Sequence, residues 1–280
     1  MLLSVGPRVL HSALRPGPRA LACQCASSSA AVAPETCDAY ARDGFTHLRG
    51  LFSPAEQRML VEAADAVATM PDEAVSHHRE VTVESGTVLA RTEAFLQAHA
   101  GLRELLCGES SPLRAALAAL HGEPVLVFKE KINYKYPGGG AYAAHQDAPA
   151  YHQHDDHLTC MIPLDAHGCS AENGCLEFVA GRHREGFIAL TDDGIIGADA
   201  EAAMDFVACP AELGDALVFT SHTPHRSGPN LSDAPRRVLY VTWNGASAGD
   251  LRDAYYEDKW RKMQSGNISM IKHWQGQPAE

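Results

Sequence analysis

The short segment His145-Gln146-Asp147 constrains the fold and chemistry of this chain more than any other feature. It lies within YKYPGGGAYAAHQDAPAY, where a glycine-rich turn leads into an extended segment. Successive side chains of a strand alternate between faces, so His145 and Asp147 are predicted to point the same way. One imidazole and one carboxylate on a common face supply two of the three ligands in the facial triad that binds non-haem Fe(II).

A facial triad also needs a second histidine, from a strand that pairs near the first. The later segment SHTPHRSGPNLSDAPRR offers His222 and His225, and Arg236 follows His225 by eleven residues. The planar guanidinium of Arg236 is suited to a two-pronged hydrogen bond with a co-substrate carboxylate. On spacing alone, either histidine could complete the metal site.

Three segments together resemble a known family. HQD, the later HRSGPNLSDAPR and the upstream KINYKYPGG occur in the order found in the phytanoyl-CoA dioxygenase-like family of Fe(II)/2-oxoglutarate oxygenases. The resemblance extends over about residues 43–244 and includes NGCLEFVAGRHREG, with Arg182 where that family usually has serine. It implies a mainly β fold with flanking helices, built on a double-stranded β-helix core, the cupin-like jelly roll.

The resemblance also implies roles for individual residues. Only His225 has the family's spacing to Ser227 and Arg236, which favours it over His222. The implied metal ligands are His145, Asp147 and His225, and the implied 2-oxoglutarate contacts are Arg236, Ser227, Lys129 and Asn133. Lys131 occupies an arginine position of the ectoine hydroxylase branch, near the substrate, and Tyr151 and His152 are weaker substrate candidates. The implied cofactors are Fe(II), 2-oxoglutarate and O2, with ascorbate to keep the iron reduced.

The strand before the HQD motif carries an unusual polar face. Alternation from Val125 to Tyr134 groups Lys129, Lys131 and Asn133 on one side. Buried lysines are costly without anionic partners, so this face is expected to line an anion-binding pocket. The alternative is a solvent-facing edge of the sheet.

The expected function is hydroxylation of a small polar or zwitterionic substrate, such as an aminoalkylphosphonate, with release of succinate and CO2. One alternative is a phytanoyl-CoA-type acyl-CoA hydroxylase, although the formal net charge of −12 indicates no basic groove for its phosphates. Another is a jelly-roll protein that binds metal without catalysis, which would not need Arg236 or Ser227. A zinc hydrolase is disfavoured because no HExxH motif occurs.

Composition bounds the remaining possibilities. The acidic net charge argues against a nucleic-acid partner. The sequence has no apolar run of about 18 residues, so no membrane-spanning helix is predicted. Residues 1–34 contain Arg8, Arg15 and Arg19 and no acidic residue, which is typical of a transit peptide. This segment predicts location in the mitochondrial matrix. The alternatives are a plastid or cytosolic location, or a disordered leader without a targeting role. Oligomeric state stays open.

Residues 35–280 are predicted to form one catalytic domain, with the jelly-roll core at about 125–244, helices before it and a covering tail after it. Helices are expected over 36–43, from Ser53 to about Thr69, and over 102–107 and 112–121. Residues 72–92 are expected to be irregular, and Arg91-Thr92-Glu93 to open another helical stretch.

Overall fold

The computed structural model describes residues 32–82, 86–151, 154 and 156–264. Within these ranges the helices are α1 (Pro34–Asp43), α2 (Pro54–Ala68), α3 (Ala100–Cys107), α4 (Pro112–His121), α5 (Ala198–Ala202) and α6 (Arg252–Gln264). The strands are β1 (Phe45–Leu48), β2 (Ser76–Thr82), β3 (Gly86–Glu93), β4 (Val125–Lys135), β5 (Tyr142–His145), β6 (His157–Pro163), β7 (Leu176–Phe178), β8 (Val207–Cys209), β9 (Ala216–Thr220), β10 (His225–Ser227) and β11 (Arg236–Gly245). Residues 1–31 of the predicted leader lie outside the described residues.

Two antiparallel sheets form the core. The larger sheet has the strand order β1-β9-β6-β11-β4-β3-β2, and the smaller has the order β5-β10-β7-β8. Side chains from both sheets, including Met161, Phe178 and Phe219, meet in one buried cluster. The facing sheets bury apolar side chains between them, which confirms the predicted jelly roll.

The helices before the core cover the outer face of the larger sheet, as predicted. Leu60 of α2, Leu106 of α3 and Leu117 of α4 share a buried cluster with Ile132 and Trp243 of the sheet. Each such leucine contributes about 1.5–3 kcal/mol by leaving water.

Local sequence determines where α2 begins. The Ser53 hydroxyl accepts a hydrogen bond from the Glu56 backbone amide, the Glu56 carboxylate accepts one from the Ser53 amide, and Pro54 occupies the first turn. This is the capping box that the sequence predicts.

Residues 72–93 differ from the prediction. Instead of irregular chain and a helical start, β2 and β3 form a hairpin that extends the larger sheet. Arg91, Thr92 and Glu93 end β3, and Arg91 and Glu93 pair with Asn133 and Lys131 of β4. Pairing with a distant strand therefore overrides the local helical pattern here.

A bulge in β4 changes the predicted faces of that strand. Thr242 pairs with Lys129 and Trp243 with Val127, so Phe128 is the extra residue. Val127 consequently packs against the helix-covered outer cluster, while Lys129, Lys131 and Asn133 line the inner face. The prediction that these three polar residues share a face is thus correct. The same alternation predicts Val125 and Val127 on that face too, and the bulge places them on the other.

Helix α6 packs against β4. None of the helices in the described ranges has the length and hydrophobicity that a membrane crossing requires.

Candidate active site

His145, Asp147 and His225 form a buried cluster in which one ligand atom of each lies within 4.8 Å of the others. His145 ends β5 and His225 begins β10, and the two are direct partners across the antiparallel pair. Asp147 lies beyond the end of β5, with helical dihedral angles at the start of a short 3-10 turn. A turn after the strand therefore brings Asp147 close to His145. Alternation of side chains along the strand, which the sequence suggested, is not the cause.

Backbone carbonyls orient both imidazoles. His145 Nδ1 donates to the Ala143 carbonyl oxygen at 2.7 Å, and His225 Nδ1 donates to the Thr223 carbonyl oxygen at 2.9 Å. A carbonyl oxygen can only accept, so each proton resides on Nδ1 and each Nε2 is free to bind a metal.

The electrostatics of the cluster suit a divalent cation. Burial and the neighbouring His225 lower the pKa of His145 to about 3, and burial also lowers the pKa of His225. Burial alone would raise the pKa of Asp147, but His225 and Lys129 outweigh it and hold that pKa well below its usual range. Two neutral imidazoles and one carboxylate can bind a cation without first releasing protons.

Gln146, between the two ligands of the HQD motif, anchors that segment. Its Nε2 donates to the carbonyl oxygens of Gly186 and His222, and its Oε1 accepts from the Ile188 amide. The ring of His222 lies against Phe187, with ring centroids 5.2 Å apart. The cluster of ligand atoms found in the described residues contains His225 and not His222.

Arg236 and Ser227 both contact one backbone carbonyl, at the end of the site away from Lys129 and Lys131. Arg236 Nη1 and Ser227 Oγ both donate to Gly174 O, at 2.7 and 2.8 Å. Arg236 is 1% exposed, yet its Nε and Nη2 have no hydrogen-bond partner among the described residues. A buried guanidinium with two unpaired donors indicates an anionic ligand.

Lys135 also lies at this end of the site, and it is not among the residues predicted from the sequence. It pairs with Arg236 across the β4–β11 ladder, and its Nζ donates to Ser227 Oγ at 2.8 Å. Burial and Arg236 lower the pKa of Lys135 to about 6. The signal was available, because Lys135 continues the alternation of Lys129, Lys131 and Asn133.

Lys129 and Lys131 lie at the end of the site nearer Asp147, whose charge acts to raise the pKa of both lysines. Burial and Lys131 nevertheless lower the pKa of Lys129 to about 7, and burial lowers that of Lys131. Neither ammonium makes an ion pair or a hydrogen bond with any described residue. The predicted contact of Lys129 with 2-oxoglutarate is not tested by the described residues, and its position near Asp147 also permits contact with a substrate anion.

Aromatic side chains surround Lys129. Its Nζ lies 4.4 Å from the Tyr151 ring centroid and 5.5 Å from that of Tyr255 in α6. Phe128 and His157 also contact Tyr151. Phe128, His157 and Tyr255 are not among the site residues predicted from the sequence. His157 is 1% exposed and both of its ring nitrogens lack partners among the described residues.

Lys131, Asn133 and Tyr151 are the remaining predicted substrate and co-substrate contacts that the structure describes. Lys131 Nζ lies 5.1 Å from the Tyr240 ring centroid, and Asn133 Oδ1 is buried without a partner in the described ranges. The Tyr151 side chain is also buried, and burial and Asp147 raise the pKa of its hydroxyl. His152 lies outside the described residues.

The residues of this site fit a non-haem iron and a dicarboxylate co-substrate. Two imidazole nitrogens and one carboxylate form the ligand set typical of Fe(II) oxygenases, and three ligands leave coordination positions open. The unpaired donors of Arg236 match the second carboxylate of 2-oxoglutarate.

Comparison with known proteins agrees with this geometry. The phytanoyl-CoA dioxygenase family matches residues 40–238. Methylphosphonate hydroxylase of Gimesia maris is 44% identical over 253 residues, covering 87% of this chain and 95% of that protein. The 2-aminoethylphosphonate dioxygenase of an uncultured bacterium is 34% identical over 225 residues, covering 79% of this chain and 84% of that protein.

Solved structures share the fold. EctD from S. alaskensis with 2-oxoglutarate and 5-hydroxyectoine superposes with a TM-score of 0.64 at 20% identity, covering 79% of each chain. The epimerase SnoN in complex with Fe3+, alpha ketoglutarate and nogalamycin RO gives 0.63 at 24% identity, covering 76% of this chain and 83% of that one.

Proposed function

Because this chain belongs to the phytanoyl-CoA dioxygenase family and is an Fe(II)- and 2-oxoglutarate-dependent dioxygenase, we propose that it hydroxylates a small organophosphonate. The proposal includes release of succinate and CO2 and a requirement for a reductant such as ascorbate.

The observation that carries the substrate class is a second cationic end of the site. Arg236, through its two unpaired donors, would hold one anion, the far carboxylate of 2-oxoglutarate, with Ser227 beside it. Lys129 and Lys131 supply two further ammoniums near Asp147 that have no counter-ion in the described part of the chain. Two neighbouring ammoniums that are only partly exposed and have no ion-pair partner favour an anion between them, so these lysines support a second anionic ligand beside the metal ligands.

A phosphonate suits this second end. It carries up to two negative charges and three acceptor oxygens, which two lysines can bind as point charges. Two relatives named for phosphonate chemistry, at 44% and 34% identity, support the same class. An acyl-CoA would add a nucleotide to bind, and the acidic chain gives no support for that alternative.

His145, Asp147 and His225 would hold the iron, which together with 2-oxoglutarate and O2 supplies the oxidising chemistry that converts a C–H bond to C–OH. The protein's own contribution is orientation. Arg236, with Ser227 beside it, would fix the far carboxylate of the co-substrate. Lys129 and Lys131 would fix the phosphonate so that its carbon group faces the metal ligands.

The aromatic side chains protect this arrangement from water. Phe128, Tyr151 and Tyr255 pack around Lys129 in ring-to-ring contact. A drier surrounding strengthens the attraction between the ammonium and the phosphonate.

The test is a succinate-release assay with methylphosphonate, 2-aminoethylphosphonate, ectoine and phytanoyl-CoA as substrates. We expect turnover with a phosphonate. Lys131→Met should raise the phosphonate KM roughly tenfold or more, because a hydrogen bond to a charged group contributes about 1.5–3 kcal/mol. The KM for 2-oxoglutarate should not change.

The matched control is Lys262→Met, since Lys262 pairs with Asp258 along α6. Its kinetics should equal those of the wild type. Turnover of ectoine or the acyl-CoA without turnover of any phosphonate would contradict the proposal.

A further inference from the structure

Lys131 lacks a counter-ion even though an acidic residue lies directly opposite it. Glu93 and Lys131 are register partners in the β3–β4 ladder, where opposite charges ordinarily attract each other. No ion pair within 4.0 Å joins them among the described residues. Another interaction must therefore occupy the Glu93 carboxylate.

We infer that Lys259 of α6 is a positioning residue, which occupies the Glu93 carboxylate and so leaves Lys131 available to bind the substrate anion. The inference rests on the proposed function and identifies how the chain keeps its phosphonate subsite positively charged.

Both oxygens of Glu93 are engaged. Lys259 Nζ donates to Oε2, while Arg91 Nε lies 3.2 Å and His78 Nε2 lies 3.9 Å from Oε1. The Glu93 side chain is only 4% exposed, so water competes little for it. Burial alone would raise the pKa of Glu93, but Lys259 and Arg91 outweigh it and lower that pKa to about 2.

The position of Lys259 is fixed by the way α6 docks. Arg252, Tyr255, Tyr256 and Lys259 recur at intervals of three and four residues and therefore lie on one face of the helix. At the first of these positions, both terminal nitrogens of Arg252 bond to the buried carboxylate of Glu130 in β4.

Tyr256 adds to this anchor. Its hydroxyl donates to the Glu130 carbonyl oxygen at 3.3 Å. Tyr255, on the same helix face, then reaches Lys129, and Lys259 reaches Glu93 two turns beyond Arg252. A single docked helix thus serves both lysines of the proposed subsite.

Loss of Lys259 should redirect Glu93. Without Lys259, Arg91 remains at Oε1 of the buried Glu93 carboxylate, but Oε2 has no cation, which favours the approach of another one. Lys131 is the ammonium across the ladder, and its flexible side chain can move toward Glu93. Once paired, Lys131 is neutralised and the subsite loses half of its charge.

The experiment compares Lys259→Met, Lys259→Arg and the double variant Lys259→Met/Glu93→Gln. For each we would measure kcat, the KM for methylphosphonate and the KM for 2-oxoglutarate. Calorimetric titration of methylphosphonate into the anaerobic protein with Fe(II) and 2-oxoglutarate would give a Kd independent of turnover.

Lys259→Met should raise the KM and Kd for methylphosphonate about tenfold, with kcat and the 2-oxoglutarate KM unchanged. Lys259→Arg should stay near the wild type, because it keeps the ion pair. The double variant should recover most of the lost affinity, because glutamine cannot neutralise Lys131. A merely structural role for Lys259 would instead lower kcat and raise the KM for 2-oxoglutarate together with the KM for methylphosphonate.

Wild-type affinity in Lys259→Met, or a double variant as weak as the single one, would overturn the inference while leaving the proposed function intact. Failure of the wild type itself to bind methylphosphonate would overturn the proposed function, and this inference with it.

Discussion

Replacing Arg236 with methionine should disable 2-oxoglutarate binding selectively. One of the three guanidinium nitrogens donates to Gly174 O, and the other two are buried without partners in the described ranges. Two hydrogen bonds to a carboxylate, at about 1.5 kcal/mol each as a lower value, total about 3 kcal/mol. That free energy corresponds to a roughly 100-fold rise in the KM for 2-oxoglutarate.

The assay is succinate release against 2-oxoglutarate concentration, with thermal unfolding measured in the presence and absence of the co-substrate. Arg237→Met is the matched control, because Arg237 pairs instead with Asp65 and Asp165. The control should keep the wild-type KM and lose only thermal stability.

The stabilisation that 2-oxoglutarate gives to the wild type should disappear in Arg236→Met and persist in Arg237→Met. An unchanged KM in Arg236→Met, or an equal rise in both variants, would refute the assignment of Arg236 as the carboxylate clamp.

Three further predictions concern stability. Ser53→Ala should lower the free energy of unfolding by about 1 kcal/mol through loss of the α2 cap, with kcat unchanged. Chemical denaturation measures this free energy, and a value equal to that of the wild type would contradict the capping role. Arg252→Met should cost about 3 kcal/mol, because it leaves Glu130 buried and unpaired, and adding Glu130→Gln should restore part of it; no restoration would count against the pair. The lowered pKa of Lys135, about 6 against about 10.4 for an exposed lysine, means that the unfolded chain binds more protons between these values. The free energy of unfolding of the wild type, measured relative to that of Lys135→Met, should therefore increase as pH rises from 6 to 10. A difference that stays constant over this range would contradict the lowered pKa.

The metal cluster was accessible from sequence because few residue patterns satisfy its chemistry. His145, Asp147 and His225 were selected by type, order and spacing, and the fold brings them within 4.8 Å of one another. Strand alternation alone does not explain how His145 and Asp147 come together, because a turn after β5 brings Asp147 into place.

Other parts of the site could not be predicted because they depend on contacts between distant segments. The β2–β3 hairpin, which contributes Glu93, is specified by its pairing with β4 and not by its own propensity. The bulge at Phe128 depends on the register with β11. Lys259 reaches Glu93 only because α6 docks on Glu130, and periodicity within either segment carries no information on that contact.

The most direct test of the account concerns the identity of the third metal ligand. Anaerobic wild-type protein with Fe(II) should develop a visible metal-to-ligand charge-transfer band when 2-oxoglutarate is added. His225→Ala should lose this band, whereas His222→Ala should keep it, because only His225 has its ligand atom in the cluster with His145 and Asp147. Iron binding without any band in the wild type, or a band that survives in His225→Ala and disappears in His222→Ala, would contradict the account.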